Sequence, residues 1–308
     1  MVYRKFGNEI DHLMEIKKSF VNENDIYVKR QLTIAKLYSK QKRRGNCKNC
    51  NSKKFLYLFS KFNNLIKYYL CKNCGHLNGE FEDSKEFCEK LYEINKGGNY
   101  AKNYVNEEKE SYFKRLKNVY LPKAKYLKKI LKKEKIKKFN ILDFGCGSGY
   151  FVKSLKLTGF KKIEGIDVSD IQTSFGNKIN NFKLLKKVES DKIYEYVIKT
   201  EANIVSLIGV LEHLNDPIKL LLKIKKNKNI KIIFLSLPLF SLSVFLELIF
   251  KNNYNRHLSG AHTHLYTEKS INWLIKKYKF KKISECWFGM DFYDLFRNIE
   301  INLKKEKI

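Results

Sequence analysis

The chain has 308 residues, 44% of them hydrophobic and 14% aromatic, which is enough apolar material for one large domain or two smaller ones. With 3 Pro and 15 Gly beside 22 Phe and 19 Tyr, the composition excludes collagen-like, mucin-like and fully disordered chains. The formal net charge of +30 suggests a polyanionic partner, but only seven of the 62 basic residues are arginine, so the codon bias of an A/T-rich genome explains the lysine excess slightly better.

The first segment, residues 1–46, is charged and mostly helical in pattern. Its beginning has no apolar stretch of the kind found in a signal peptide. The chain contains seven cysteines, an odd number, and four of them are spaced in pairs. These features predict reduced thiols and a cytoplasmic location.

The second segment, residues 47–80, carries the two cysteine pairs Cys47/Cys50 and Cys71/Cys74, separated by 20 residues. This spacing predicts a zinc-ribbon-like module in which four thiolates close a tetrahedron around a structural zinc ion. His76 and Cys88 are the alternative ligands, and cytosolic cysteines without a metal are the alternative interpretation.

Residues 81–138 form a predicted helical connector or cap. Pro122 suits the first turn of a helix whose apolar positions repeat at helical spacing. From residue 139 to residue 308, short apolar runs alternate with helical stretches. The predicted strands are 140–144, 162–167, 203–208, 231–237 and 283–287. Such alternation indicates an α/β fold with a doubly wound, mostly parallel sheet.

A glycine-rich loop follows the first of these strands, with Gly145, Gly147 and Gly149 after Asp143. Glycine allows a sharp turn and a close approach of the backbone to a ligand. The next strand ends in Asp167, 22 residues after Gly145, where a carboxylate accepts the hydroxyls of a ribose. The loop and this acid together predict a nucleotide-cofactor site.

These residues resemble the first two motifs of class I S-adenosylmethionine-dependent methyltransferases, which have a Rossmann-like fold. The resemblance implies that the three glycines line the methionyl and ribose part of S-adenosylmethionine, with Cys146 among them as a small filler. It also implies that Asp143 lies near the amino group and that Asp167 holds the ribose. Two departures remain: Asp191 is a poor candidate for the acid that contacts adenine, because no clear strand precedes it, and no reversed seventh strand is evident after Trp287.

The resemblance continues at residues 204–217 and 256–267. It implies that the loop Leu211-Glu212-His213 faces the methyl group, with Leu211 and Glu212 against the cofactor. Transfer to an oxygen or carbon nucleophile also needs a base. We consider His213, His262 and Tyr266 as candidates. His213 is favoured because it directly follows a strand at the carboxyl edge of the sheet, and a structural histidine bonded to the backbone is the alternative.

Residues 232–250 are nearly all apolar. They are better explained by a buried strand ending at Pro238, followed by a short apolar helix, than by a membrane-spanning helix. A helix that lies on a membrane surface is the alternative, so peripheral membrane contact stays open.

The sequence therefore predicts a methyltransferase with an N-terminal zinc module. Its resemblance is to enzymes that act on small molecules and sugars, which implies a nucleotide-linked sugar or surface-polysaccharide precursor as substrate, with lysines near its phosphates. A zinc-finger ribosomal-RNA methyltransferase is the first alternative, and the charge favours it. A non-catalytic binding or scaffold protein with this fold is the second.

Overall fold

The computed structural model describes residues 3–6, 21–92 and 108–306. The parts of the predicted helical segments that fall on 7–20 and 93–107 lie outside these residues. The chain divides into two compact units. The terminal unit comprises Met1–Phe87 and Pro238–Ile308, and the central unit comprises Cys88–Leu237.

The regular elements alternate along most of the described chain. In chain order, the helices are α1 (Asn24–Tyr38), α2 (Lys85–Tyr92), α3 (Lys109–Arg115), α4 (Leu121–Lys133), α5 (Tyr150–Leu157), α6 (Asp170–Asn180), α7 (Ile193–Lys199), α8 (Pro217–Lys226), α9 (Leu242–Ile249), α10 (Glu268–Lys277) and α11 (Asp291–Glu306). The strands are β1 (Tyr3–Phe6), β2 (Phe55–Lys61), β3 (Ile66–Cys71), β4 (Leu77–Gly79), β5 (Asn140–Phe144), β6 (Lys162–Asp167), β7 (Leu185–Lys187), β8 (Ile204–Ile208), β9 (Ile232–Ser236), β10 (His264–Leu265) and β11 (Ser284–Trp287).

The central unit is built on a five-stranded sheet with the order β7-β6-β5-β8-β9. Every strand pair in it is parallel. The strand β5 lies in the middle, and its residues from Ile141 onward are buried, as expected for a strand that is covered on both faces. The predicted α/β fold with a parallel sheet is thereby confirmed.

The helix α4 supplies part of the core of the central unit. Its residues Ala124, Leu127 and Leu131 are buried in one cluster with Ile141 of β5 and Phe151 of α5. Proline stands in the first turn of α4, as predicted, where its missing N–H removes no helical hydrogen bond. This core supports the five-stranded sheet. The candidate site lies at the edge where the carboxyl ends of β5, β6 and β8 meet.

The terminal unit contains two small sheets. Antiparallel strands form a four-stranded sheet in the order β10-β4-β3-β2, and β1 pairs in parallel with β11. Two predictions differ from this arrangement. Residues 3–6, in the segment predicted to be helical, form a strand. The strand predicted at 283–287 pairs with them rather than with the five-stranded sheet. Both differences arise because pairing between the two ends of the chain leaves no local signal.

The apolar stretch 232–250 forms the strand β9 and the helix α9, in agreement with the prediction. Within the part of the chain that the structure describes, no helix is both long enough and apolar enough to cross a membrane.

Candidate functional site

The loop between β5 and α5 turns on its three glycines. Gly145, Gly147 and Gly149 have φ angles of +67°, +51° and +76°, a region that side chains disfavour. A Cβ added to Gly145 would also lie 2.7 Å from Cγ2 of Val210. Both the conformation and the close packing therefore require glycine, as the sequence motif predicts.

Asp167 ties this loop to the neighbouring strand β6. Its Oδ2 accepts a hydrogen bond from the backbone N–H of Gly147 at 2.8 Å, and its Oδ1 accepts one from Ser169 at 2.8 Å. Burial raises the pKa of this carboxyl group, and the backbone hydrogen bonds act in the opposite direction. The acid thus holds the glycine loop in place, and each oxygen keeps acceptor capacity for a ligand hydroxyl.

Asp143 lies at the end of β5 and is 2% exposed. The hydroxyl of Ser206, on the adjacent strand β8, donates a hydrogen bond of 2.6 Å to its Oδ1. Burial raises the pKa of Asp143 to about 7, and the nearby charge of Asp167 adds to this effect. Two buried carboxyl groups on neighbouring strands favour a positively charged ligand group at this edge.

The third part of this edge is the turn Leu211–His213 after β8. Leu211 and Glu212 are buried. Burial raises the pKa of Glu212 to about 8, and its Oε2 has no hydrogen-bond partner among the described residues. A buried polar atom without a partner marks a position where a ligand donor would restore the missing hydrogen bond.

His213 forms a pair with a residue that sequence reasoning missed. Its Nδ1 lies 2.7 Å from the hydroxyl of Tyr92, on α2, and the two rings meet edge to face at 5.5 Å. Cys88, one helical turn before Tyr92, lies with its Sγ 3.8 Å from the carbonyl oxygen of His213. The four-residue spacing of Cys88 and Tyr92 indicates that they share one face of a helix. It does not indicate that this face contacts the loop at His213, which lies far along the chain.

A stack of tyrosines also supports the glycine loop. Tyr150 stacks on Tyr112 at 4.2 Å and on Tyr120 at 4.9 Å. The hydroxyl of Tyr112 donates a hydrogen bond of 2.8 Å to the carbonyl oxygen of Ser148, inside the loop. The helices before β5 thereby fix the conformation of the loop.

The strand β7, which the sequence did not reveal, lies on the other side of β6. It has three residues, of which only Leu185 is buried, so no apolar pattern marks it. Glu189 and Asp191 follow β7 at the same edge of the sheet as the end of β6. Asp191 therefore does follow a strand, which removes the objection raised from the sequence.

In the terminal unit, the four cysteines predicted to bind a metal come together. Their Sγ atoms all lie within 4.8 Å of one another, with Cys47 and Cys74 at 3.6 Å and Cys50 and Cys71 at 3.5 Å. Four sulfurs bound to zinc at ~2.3 Å would be separated by about 3.8 Å, so the spacing fits the tetrahedron of a zinc site.

The two cysteine pairs also share one backbone geometry. The N–H of Asn51 donates to the carbonyl oxygen of Cys47, and the N–H of Gly75 donates to that of Cys71, both at 2.8 Å. Asn51 and Gly75, each four residues after the first cysteine, have positive φ angles of 60° and 72°. These are two equivalent knuckles, and the amide nitrogen of Asn78 lies 3.5 Å from the sulfur of Cys47 as a further donor.

The other candidate bases, His262 and Tyr266, belong to the terminal unit, whereas His213 belongs to the central unit. Nδ1 of His262 lies 2.7 Å from the carbonyl oxygen of His257. Since a carbonyl only accepts, this nitrogen carries the proton. Burial lowers the pKa of His262 to about 4. Tyr266 is buried and contacts the ring of His76 edge to face at 4.7 Å.

Comparison with known proteins gives a consistent result. The model of the family described as a methyltransferase domain matches residues 110–285. No curated protein matches the chain significantly.

Solved structures with similarity to the chain include three methyltransferases. The plantazolicin methyltransferase BpumL, in complex with a desmethylPZN analog and SAH, is 17% identical, with 72% of this chain and 89% of that chain covered and a TM-score of 0.46. The magnesium protoporphyrin IX methyltransferase ChlM from Synechocystis PCC 6803, with bound SAH, is 11% identical, with coverage of 63% and 88% and a TM-score of 0.44. A SAM-dependent methyltransferase from Archaeoglobus fulgidus is 18% identical, with coverage of 50% and 67% and a TM-score of 0.34. Because the family model matches more than half of its residues, the chain belongs to the methyltransferase domain family and is a methyltransferase.

Proposed function

We propose that this methyltransferase acts on a small-molecule acceptor, a nucleotide-linked sugar or another precursor of a surface polysaccharide. The observation that carries the proposal is the pair of His213 and Tyr92, which places a hydrogen-bonded imidazole at the same sheet edge as the glycine loop. The resemblance of residues 204–217 and 256–267 to enzymes of sugars and small molecules supports the choice of acceptor.

The cofactor site comprises the residues at the ends of β5, β6 and β8. Bound S-adenosylmethionine supplies a methyl group on a positively charged sulfur. Asp143 would accept the hydrogen bonds of its amino group, and Asp167 would accept those of its ribose. The backbone of Gly145, Gly147 and Gly149 comes close to the ligand because no Cβ intervenes. Cys146, Leu211 and Glu212 line the same edge.

His213 is the proposed base. Its Nε2 would take the proton of the acceptor, and the bound cofactor would supply the methyl group that the acceptor receives. The Nδ1–H of the resulting imidazolium then donates to the oxygen of Tyr92, which stabilises the charged ring. His262 and Tyr266 remain second candidates for contacts to the acceptor.

The cysteine cluster of the terminal unit is proposed to hold one structural zinc ion. Four thiolates fill the coordination sphere, so this ion has no open position for a substrate. None of the seven cysteines, all of which lie among the described residues, forms a disulfide, which is consistent with the proposed reducing compartment, the cytoplasm.

The test is methyl transfer from S-adenosylmethionine with a deuterated methyl group. The protein is incubated separately with a panel of nucleotide-linked sugars, with a small-molecule cell extract and with total RNA, and each fraction is analysed by mass spectrometry. We expect the label in the sugar or small-molecule fraction. Label confined to RNA, with binding that weakens steeply as salt rises, would overturn the proposal in favour of an RNA methyltransferase, for which the net charge of +30 is the supporting observation.

Three variants separate the proposed roles. His213→Ala should retain affinity for the cofactor and lose about 100-fold or more in methyl transfer. Asp167→Asn should lose affinity for the cofactor itself. Tyr92→Phe should retain most of the cofactor affinity and lower the pH-rate midpoint assigned to His213, because the imidazolium loses an acceptor. Full activity of His213→Ala would contradict the assignment of the base.

A further inference from the structure

Two helices of the terminal unit expose large apolar side chains to solvent. On α9 and α11 the exposed fractions of these side chains range from 40% to 68%. The residues are Leu242, Phe245 and Ile249 on α9, and Phe292, Phe296, Ile299 and Leu303 on α11. Single exposed apolar residues are ordinary, but seven on two adjacent helices mark a surface that takes part in an interaction.

The two helices run side by side in the same direction. At their beginnings, Oδ1 of Asp291 accepts hydrogen bonds from the backbone N–H of Ser243 at 2.9 Å and from the hydroxyl of Ser241 at 2.7 Å. At their other ends, Nζ of Lys305 in the last turn of α11 lies 3.3 Å from the carbonyl oxygen of Asn252, which follows α9. The beginnings of α9 and α11 are therefore adjacent, and so are their ends. The exposed apolar side chains of the two helices consequently lie next to each other.

The buried sides of α9 and α11 also face one interior. Nδ1 of His257 lies 3.4 Å from Oε1 of Glu247 on α9 and 3.9 Å from Oδ2 of Asp294 on α11. Because both buried sides converge on this histidine, the exposed rows point away from it together. The seven residues thus form one continuous surface, which we name the apolar face.

Lysines border one end of the apolar face, and one of them, Lys305, pairs with the exposed Asp25 at 3.4 Å. Glu247 is the one acid within α9, and it is 3% exposed and paired with Lys61 at 2.9 Å, so α9 presents no acid to solvent. Lys251, Lys304 and Lys305 are exposed near the adjoining ends of the two helices. Lys304 also pairs with Glu300 on α11 at 3.3 Å. The chain as a whole carries a net charge of +30.

We propose that the apolar face docks onto an anionic membrane surface, with both helices lying parallel to it. An apolar helix face bordered by lysines binds at the boundary between lipid headgroups and acyl chains, where apolar burial and attraction to anionic lipids add together. A second copy of this chain would bring another +30 to the same interface, which opposes self-association and favours an anionic partner.

The experiment is flotation of the full chain with lipid vesicles, either pure phosphatidylcholine or phosphatidylcholine with phosphatidylglycerol. The wild type should partition at least about tenfold more strongly to the anionic vesicles, and added salt should reduce this preference. The double variant Phe245→Ser/Phe296→Ser should lose about tenfold or more of that binding. The matched control Leu157→Ser/Leu222→Ser changes residues of the central unit that are 58% and 43% exposed, and it should bind as the wild type does.

Cofactor affinity and melting temperature, measured on each variant, show whether the fold is intact. Absence of vesicle binding by the wild type, or equal binding to neutral and anionic vesicles, would overturn the proposal. It would equally be overturned if the wild type sediments as a dimer that Phe245→Ser/Phe296→Ser converts to a monomer, because the apolar face would then belong to a second copy.

Discussion

The buried carboxyl group of Asp143 makes a specific prediction about pH. Its pKa in the folded chain is about 7, against an ordinary value of 3.8 for an aspartate, and the main cause is burial. The folded state therefore binds more protons than the unfolded state between these two values. An acid with a raised pKa destabilises the fold as pH rises through this window, and the penalty is fully present above about pH 7.

The size of the effect follows from the shift. Each unit of pKa corresponds to ~1.36 kcal/mol, so ionised Asp143 costs about 4 kcal/mol at about pH 8 relative to about pH 4. Asp143→Asn removes the charge and keeps an acceptor for the hydroxyl of Ser206. We expect this variant to be more stable than the wild type at about pH 8 and to lose this part of the pH dependence.

The assay is urea unfolding of the empty protein at several pH values. Asp167 and Glu212 also have raised pKa values, so the wild type alone does not isolate Asp143, and the difference between variant and wild type does. Ser206→Ala provides a test in the other direction, because its hydrogen bond lowers the pKa of Asp143. A difference between Asp143→Asn and wild type that does not change with pH would refute the reasoning.

The same shift couples cofactor binding to proton release. The amino group of S-adenosylmethionine is positively charged, so its arrival beside Asp143 favours the ionised carboxylate. Near neutral pH, calorimetry in buffers of different ionisation enthalpy should detect release of a fraction of a proton on binding. Asp143→Asn should bind the cofactor weakly and release fewer protons.

Three further outcomes are expected. Gly145→Ala, with a Cβ 2.7 Å from Val210 and a φ of +67°, should lose about 1–3 kcal/mol of unfolding free energy, whereas Gly45→Ala, with no atom within 4 Å of its Cβ, should change it little. Lys61→Met leaves the buried carboxylate of Glu247 without its cation, so the free energy of unfolding measured in urea should fall by about 3–5 kcal/mol. A decrease below about 1 kcal/mol would contradict a buried ion pair. Elemental analysis should find about one zinc ion per chain. The variant Cys71→Ser should lose this zinc and have a lower melting temperature than the wild type. A metal-free wild type would refute the zinc site.

The sequence was sufficient for those parts of the fold that depend on neighbouring residues. The glycine loop is local, because Gly145 and Gly149 must adopt positive φ angles within a five-residue turn. The strands β5 and β8 are mainly apolar, since a parallel sheet is covered on both faces, and each carries one polar residue that points to the site, Asp143 and Ser206. The cysteine pairs are recognised by spacing, and the β2–β3 hairpin between them brings the two knuckles together.

Contacts between distant segments were not predictable from these patterns. Tyr92 reaches His213 across most of the central unit, and Tyr3 pairs with Ser284 near the opposite end of the chain. The strand β7 has only three residues, which is too short for an alternation of apolar and polar residues to mark it as a strand. Amphipathicity does not locate the apolar face either, because an exposed phenylalanine such as Phe296 has the same sequence signature as a buried one.

The chain as a whole is strongly basic, whereas its candidate site is lined by acids, and this difference has a functional consequence. A field from a net charge of +30 repels a cationic cofactor and attracts an anionic acceptor such as a nucleotide-linked sugar. With pKa values near 7 and 8, Asp143 is about half protonated and Glu212 mostly protonated in the empty site at neutral pH, and a cation that binds there favours their ionised forms. The cofactor therefore binds through short-range contacts that salt screens little, whereas capture of an anionic acceptor depends on long-range attraction. We expect added salt to raise the KM for the acceptor far more than the Kd for S-adenosylmethionine, and an equal effect on both would show that the lysines do not guide the acceptor.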